Sequence, residues 1–117
     1  MAKRKATEQE IEDFLEEFRL RCRPKVEIEP RPEYIGFLFA NNLLQEDAYS
    51  VILNELNHTH YVSGPEDDYN KKHPDPVWKF KIKKFDTTIY IKLKLYTGKL
   101  GLPCSKCLSF HDDSNKF

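Results

Sequence analysis

An α+β fold, with N-terminal helices packed on one face of a small antiparallel sheet of at least three strands, is what this 117-residue chain predicts. Three observations carry that expectation. Apolar residues recur at helical spacing through the first half, and from Trp78 onward the period changes to two. A composition 39% hydrophobic and 13% aromatic supplies a core, and a chain of this length removes roughly two-thirds of its unfolded surface from water. The expected organisation is a single domain over 1–117, with a helical part at about 7–57, a connecting loop at about 58–76 and a sheet part at about 77–112.

Thr7 followed by Glu10 has capping-box spacing, and Ile11, Phe14, Leu15, Phe18 and Cys22 then line one helical face up to Pro24. Prolines between Lys25 and Pro32 exclude a regular helix, and Val26 and Ile28 make a short extended link. Two short helices follow. Tyr34, Phe37 and Leu38 mark the first, Asn41-Asn42 interrupts it, and Ala48, Val51, Ile52 and Leu56 mark the second over Glu46 to Leu56. Asn57 to Asp75, rich in Gly, Pro, Asn, Asp and His, reads as a long loop with a turn at Ser63-Gly64-Pro65.

Trp78, Phe80 and Ile82 alternate with Lys79, Lys81 and Lys83. After a turn at Asp86-Thr87, Ile89, Ile91, Leu93 and Leu95 alternate with Tyr90, Lys92, Lys94 and Tyr96. A third strand, Cys104 to His111, alternates Lys106, Leu108 and Phe110 with Cys107, Ser109 and His111.

Charge is divided along the chain. Residues 1–70 hold 8 Lys and Arg against 15 Asp and Glu, while 71–117 hold 11 against 4, so a net charge of zero conceals a basic half. The three cysteines are an odd count behind a basic N-terminus without an apolar h-region, from which a reducing, cytoplasmic setting is expected.

With the dry sides of the strands against the helices, alternation places Lys79, Lys81, Lys83, Tyr90, Lys92, Lys94 and Tyr96 on the opposite face. Lysines at strand spacing meet successive phosphates, and tyrosines among them stack on unpaired bases, so the face suits single-stranded RNA. The plainer alternative is a solvated strand face, since lysines are common on exposed strands. His111 and Ser109 turn toward the lysines if Leu108 and Phe110 continue the dry side. A histidine there can take a proton from a ribose 2′-OH while lysines stabilise the charged phosphorane. A surface histidine is the competing interpretation.

Cys104 and Cys107, with His111 and either Cys22 or His73, would form a zinc site, but there is no second CxxC and the pleat separates the two cysteines. Glu66, Asp67, Asp68 and Asp75 read as a solvated acidic loop rather than a cation site. Gly-rich nucleotide-binding motifs, nucleophile elbows and HExxH patterns are absent from the sequence. The helical half is acidic, which disfavours a DNA-reading regulator and leaves those helices able to dock a basic partner.

From about Leu44 to Asp112 the order Tyr61-Val62-Ser63-Gly64-Pro65-Glu66-Asp67-Asp68, Val77-Trp78-Lys79-Phe80, Ile89-Tyr90-Ile91-Lys92-Leu93 and Lys106-Cys107-Leu108-Ser109-Phe110-His111 resembles the MqsR-like toxins of bacterial toxin–antitoxin pairs. That resemblance implies a RelE-like fold, an mRNA endoribonuclease needing no metal or other cofactor, and an antitoxin partner. By position the family's C-terminal catalytic lysine falls on His111, its strand tyrosine on Tyr90, and its glutamine after tryptophan on Lys79. Another active-site lysine falls on Val62, so its charge must come from Lys79, Lys81 or Lys92. The catalytic set expected is therefore His111, Lys79, Tyr90 and Lys92, with Lys81, Lys83, Lys94, Tyr96 and Tyr61 holding RNA. The alternative function is a non-catalytic module binding nucleic acid or protein through the basic face.

Overall fold

The computed structural model describes residues 5–22, 25–67 and 75–113. Helix α1 (Glu8–Cys22) starts where expected. The Thr7 hydroxyl accepts the Glu10 backbone N–H at 3.1 Å and the Glu10 carboxylate accepts the Thr7 N–H at 2.9 Å. Such a reciprocal cap contributes about 1 kcal/mol. Helix α2 (Pro32–Ala40) begins on a proline, whose missing N–H is harmless at a first turn. Helix α3 (Gln45–Ser50) runs directly into a wide π-helical turn, Val51–Glu55, so the expected Glu46 to Leu56 helix is present but changes its winding halfway.

The sheet has four strands, β1 (Tyr61–Glu66), β2 (Val77–Lys84), β3 (Thr87–Thr97) and β4 (Pro103–Asp112), antiparallel and in sequence order. The three helices pack on one face of it. Phe80, Ile89, Ile91, Leu93, Cys107 and Phe110 are fully buried there against Leu15, Phe18, Val51 and Ile52. Each large aliphatic or aromatic side chain so buried contributes about 1.5–3 kcal/mol. Phe110 receives the edges of Tyr34 and Phe37 at 6.1 and 6.0 Å, which fixes α2 on β4. Phe14 stacks on Trp78 at 4.4 Å, which fixes α1 on β2.

Three expectations need correction. Strand β1 occupies the first part of the expected loop, and Ser63-Gly64-Pro65 is not a turn. At Gly64, φ is +122° and an added Cβ would lie 2.7 Å from Val77 O and 2.8 Å from Trp78 Cα, so glycine lets β1 press against β2. Pro65 lacks a ladder donor and is tolerated because β1 is an edge strand with irregular register. The β2–β3 turn is Phe85-Asp86, both left-handed at φ 56° and 62°, a two-residue connection whose twist suits a hairpin, and Thr87 already belongs to β3.

The third correction concerns β4. Lys92 pairs with Ser109 but Leu93 pairs with Cys107, so Leu108 is the extra residue of a bulge. Parity reverses across it. Phe110 faces the helices and His111 the other way, as expected, whereas Cys107 enters the core and Lys106 joins the lysine side. The link before α2 runs parallel along this strand, with Cys107 N–H donating to Glu27 O at 2.8 Å and Glu29 N–H to Cys107 O at 3.0 Å.

Candidate functional site

Strand register arranges the face away from the helices in rows. Lys81, Tyr90 and His111 stand opposite one another across β2, β3 and β4; Lys79, Lys92 and Ser109 form the next row; Val77, Lys94 and Lys106 form the third. The rows bring all four expected catalytic residues together.

Tyr90 and His111 have ring centroids 5.6 Å apart. His111 Nδ1 lies 3.0 Å from the carbonyl oxygen of Asp112. A carbonyl only accepts, so Nδ1 carries the hydrogen and the lone pair of a neutral imidazole is on Nε2. Burial raises the Tyr90 pKa above its ordinary value of 10, against the opposing pull of Lys79 and Lys81. The phenol therefore stays protonated at neutral pH and is a donor.

Carboxylates stand among the lysines. Lys79 Nζ is 3.0 Å from Glu66, whose side chain is only 8% exposed, and Lys81 Nζ is 2.9 Å from Asp113. Sequence inspection missed both acids. Asp113 has the same parity as His111, two residues before it, and that signal was available. Glu66 gave none, because Gly64-Pro65 masked its strand. Lys92 is half-buried and Lys83 exposed at the hairpin end, where Lys83, Lys84, Asp86, Thr87 and Thr88 border an open cavity.

Three expected RNA contacts are placed differently. Lys94 is 1% exposed, beside Val77 and Leu108 at 3% and 8%, so this end of the face is covered and its ammonium does not meet solvent. Tyr96 lies six residues along β3 from Tyr90, roughly 20 Å at strand rise. It packs under the Lys106 ammonium at 5.5 Å, and burial, then Glu27, pushes its pKa up to about 12. Lys106 is itself held by Glu29 at 3.2 Å. Tyr61 is on the helix side, edge-on to Trp78 and Phe80, with its hydroxyl accepting from Ala6 N–H and donating to Gly64 O. It is a packing residue.

Cys104 and Cys107 fall on opposite faces of β4, with Cys107 fully buried and its thiol pKa pushed up by that burial. Among the described residues no group of three His, Cys, Asp or Glu is placed to hold a metal ion. His73 and Asp68 lie outside the described residues. No described helix is long and apolar enough to cross a membrane. No protein-family model, no curated protein and no solved structure matches the chain.

Proposed function

We propose that this protein is a metal-independent endoribonuclease of the toxin type, acting on mRNA in the cytoplasm and held in check by an antitoxin protein. The observation that carries the reading is the single row Lys81, Tyr90, His111, flanked by Lys79 and Lys92. In it His111 Nε2 takes the proton of a ribose 2′-OH, and the 2′-oxygen attacks the adjacent phosphorus. The bond to the 5′-oxygen breaks, and the imidazolium returns a proton to that leaving oxygen. Lys79 and Lys92 stabilise the pentacoordinate phosphate, and Tyr90 donates to a phosphoryl oxygen or stacks on a base. The products are a 2′,3′-cyclic phosphate and a 5′-hydroxyl, because the nucleophile belongs to the substrate. The resemblance to MqsR-like toxins supports the same chemistry and supplies the antitoxin and the RelE-like classification.

A second reading has its own observation. The pairing of Lys79 with Glu66 and of Lys81 with Asp113, together with burial of Lys94, leaves less free positive charge than the strands promised, which suits a non-catalytic binding module. Incubating purified protein with single-stranded RNA in EDTA, beside His111→Ala, separates the two. Cleavage to cyclic-phosphate ends that the variant lacks supports the nuclease; intact RNA with undiminished binding supports the module.

A further inference from the structure

On the helix side of the sheet, opposite His111, α1 and the strands leave a groove of about 490 Å³ that the nuclease chemistry does not use. Phe14, Trp78, Leu95, Pro65 and Pro76 make its apolar floor, and Glu10, Asp13 and Glu17 are its acidic lining. Pockets of this size with an apolar floor and a few polar groups are ordinary binding sites. The Trp78 indole is held flat against Phe14 at 4.4 Å and 12°, so the floor is preformed.

Charge decides what the groove fits. Helix α1 carries six carboxylates, Glu8, Glu10, Glu12, Asp13, Glu16 and Glu17, against two arginines. Arg19 donates to the carbonyls of Ile52 and Leu56, and Arg21 donates to those of Tyr96 and Cys104 and also pairs with Glu17 at 2.8 Å, so of the groove's carboxylates Glu17 has a counter-charge on its own helix. Carboxylates lining a groove beside aromatic side chains repel nucleic acid and acidic ligands. We infer that the groove docks a basic peptide segment of a partner protein, with a large apolar side chain set on Phe14 and Trp78 and lysines or arginines paired with Asp13 and its neighbours. Docking there leaves the lysine face open. The inference is independent of whether that face cleaves RNA.

Trp78 is the single tryptophan of the chain, so its emission reports on the groove directly. The intact protein is titrated with three ten-residue probes, one alternating lysine and leucine, one lysine and serine, and one glutamate and leucine. The lysine–leucine probe should shift Trp78 emission saturably, and the other two should bind at least about tenfold more weakly, because one lacks the anchor and the other the charge. Asp13 is exposed, and its carboxylate accepts from the exposed Gln9 amide, so Asp13→Lys keeps the fold by circular dichroism while weakening the lysine–leucine probe about tenfold. Equal binding of either control probe, indifference to Asp13→Lys, or an equal response of Trp78 to single-stranded RNA would each overturn the assignment.

Discussion

Tyr90 and His111 are directly opposed across β3 and β4, and the Asp112 carbonyl on Nδ1 leaves the His111 lone pair at Nε2. A half-exposed histidine contributes little to packing. His111→Ala should therefore leave the melting temperature and RNA affinity nearly unchanged while slowing cleavage by about 10²- to 10⁴-fold, the usual share of one general acid or base. Wild-type turnover in the variant would remove His111 from the mechanism.

The lysines separate by exposure. Lys83 is exposed, so Lys83→Ala should weaken RNA binding and flatten the dependence of log K on log salt by about 0.7, the single-strand contribution of one phosphate contact. Lys94 is 1% exposed, and Lys94→Ala should act on stability instead, lowering the denaturation midpoint. Binding isotherms at several salt concentrations and urea unfolding distinguish the two; a Lys94 variant with native stability and a reduced salt slope would contradict the assignment.

Gly64→Ala tests how tightly β1 lies on β2. The new methyl would overlap Val77 O and Trp78 Cα in a backbone conformation at φ +122° that side chains rarely adopt. Neither obstacle is a flexible side-chain end, so destabilisation of about 2–4 kcal/mol is expected. A chemical denaturation curve superimposable on that of the wild type would show that β1 sits further from β2.

Glu12 gives the fold an acid-side pH dependence. Its carboxylate accepts from the His58 ring at 2.8 Å and from the His58 backbone N–H at 2.9 Å, and these bonds, the side-chain one first, hold its pKa below the ordinary 4.5. A depressed folded pKa means that the unfolded chain binds more protons, so the stabilisation is fully present above about pH 4.5 and is lost as pH falls through the folded value. Because the carboxylate is 41% exposed, Glu12→Gln should cost under about 1 kcal/mol at neutral pH. Its stability curve should be flatter than the wild type's as pH falls below about 4.5; parallel curves would show that the His58 contact is not made in solution.

Regular, local signals were legible in the sequence. The α1 cap came from two residues three apart, and the facing of Lys79, Lys81, Tyr90 and Lys92 came from a hairpin whose pleat leaves no choice. Deviations from periodicity were not. Gly64 and Pro65 are turn formers by local preference, and only contact with Val77 and Trp78, far along the chain, makes them part of a strand. Leu108 looks like any alternating residue until Lys92 and Leu93 are set against β4. The acid that pairs with Lys79 arrives from β1, where no periodicity revealed it, whereas the partner of Lys81, Asp113, continues the parity of His111 just beyond β4.

The bulge at Leu108 makes β4 two strands in tandem with opposite phase. On its C-terminal side the chain presents Ser109 and His111 to the lysine rows; on its N-terminal side it presents Lys106 and sends Cys107 inward. Deleting Leu108 would leave both ends with their present partners, whereas pairing Leu108 into the ladder as a regular strand would force one end to shift by a residue. Were the His111 end to keep its register, Leu108 would oppose Leu93 and Lys106 would turn to the helix side opposite Leu95, bringing an ammonium to the apolar layer. Were the Cys107 end to hold instead, His111 would rotate to the helix side opposite Ile89 and Phe110 would take its place beside Tyr90. One leucine thus lets a single strand serve a dry interior and a charged exterior without either dictating the sequence of the other.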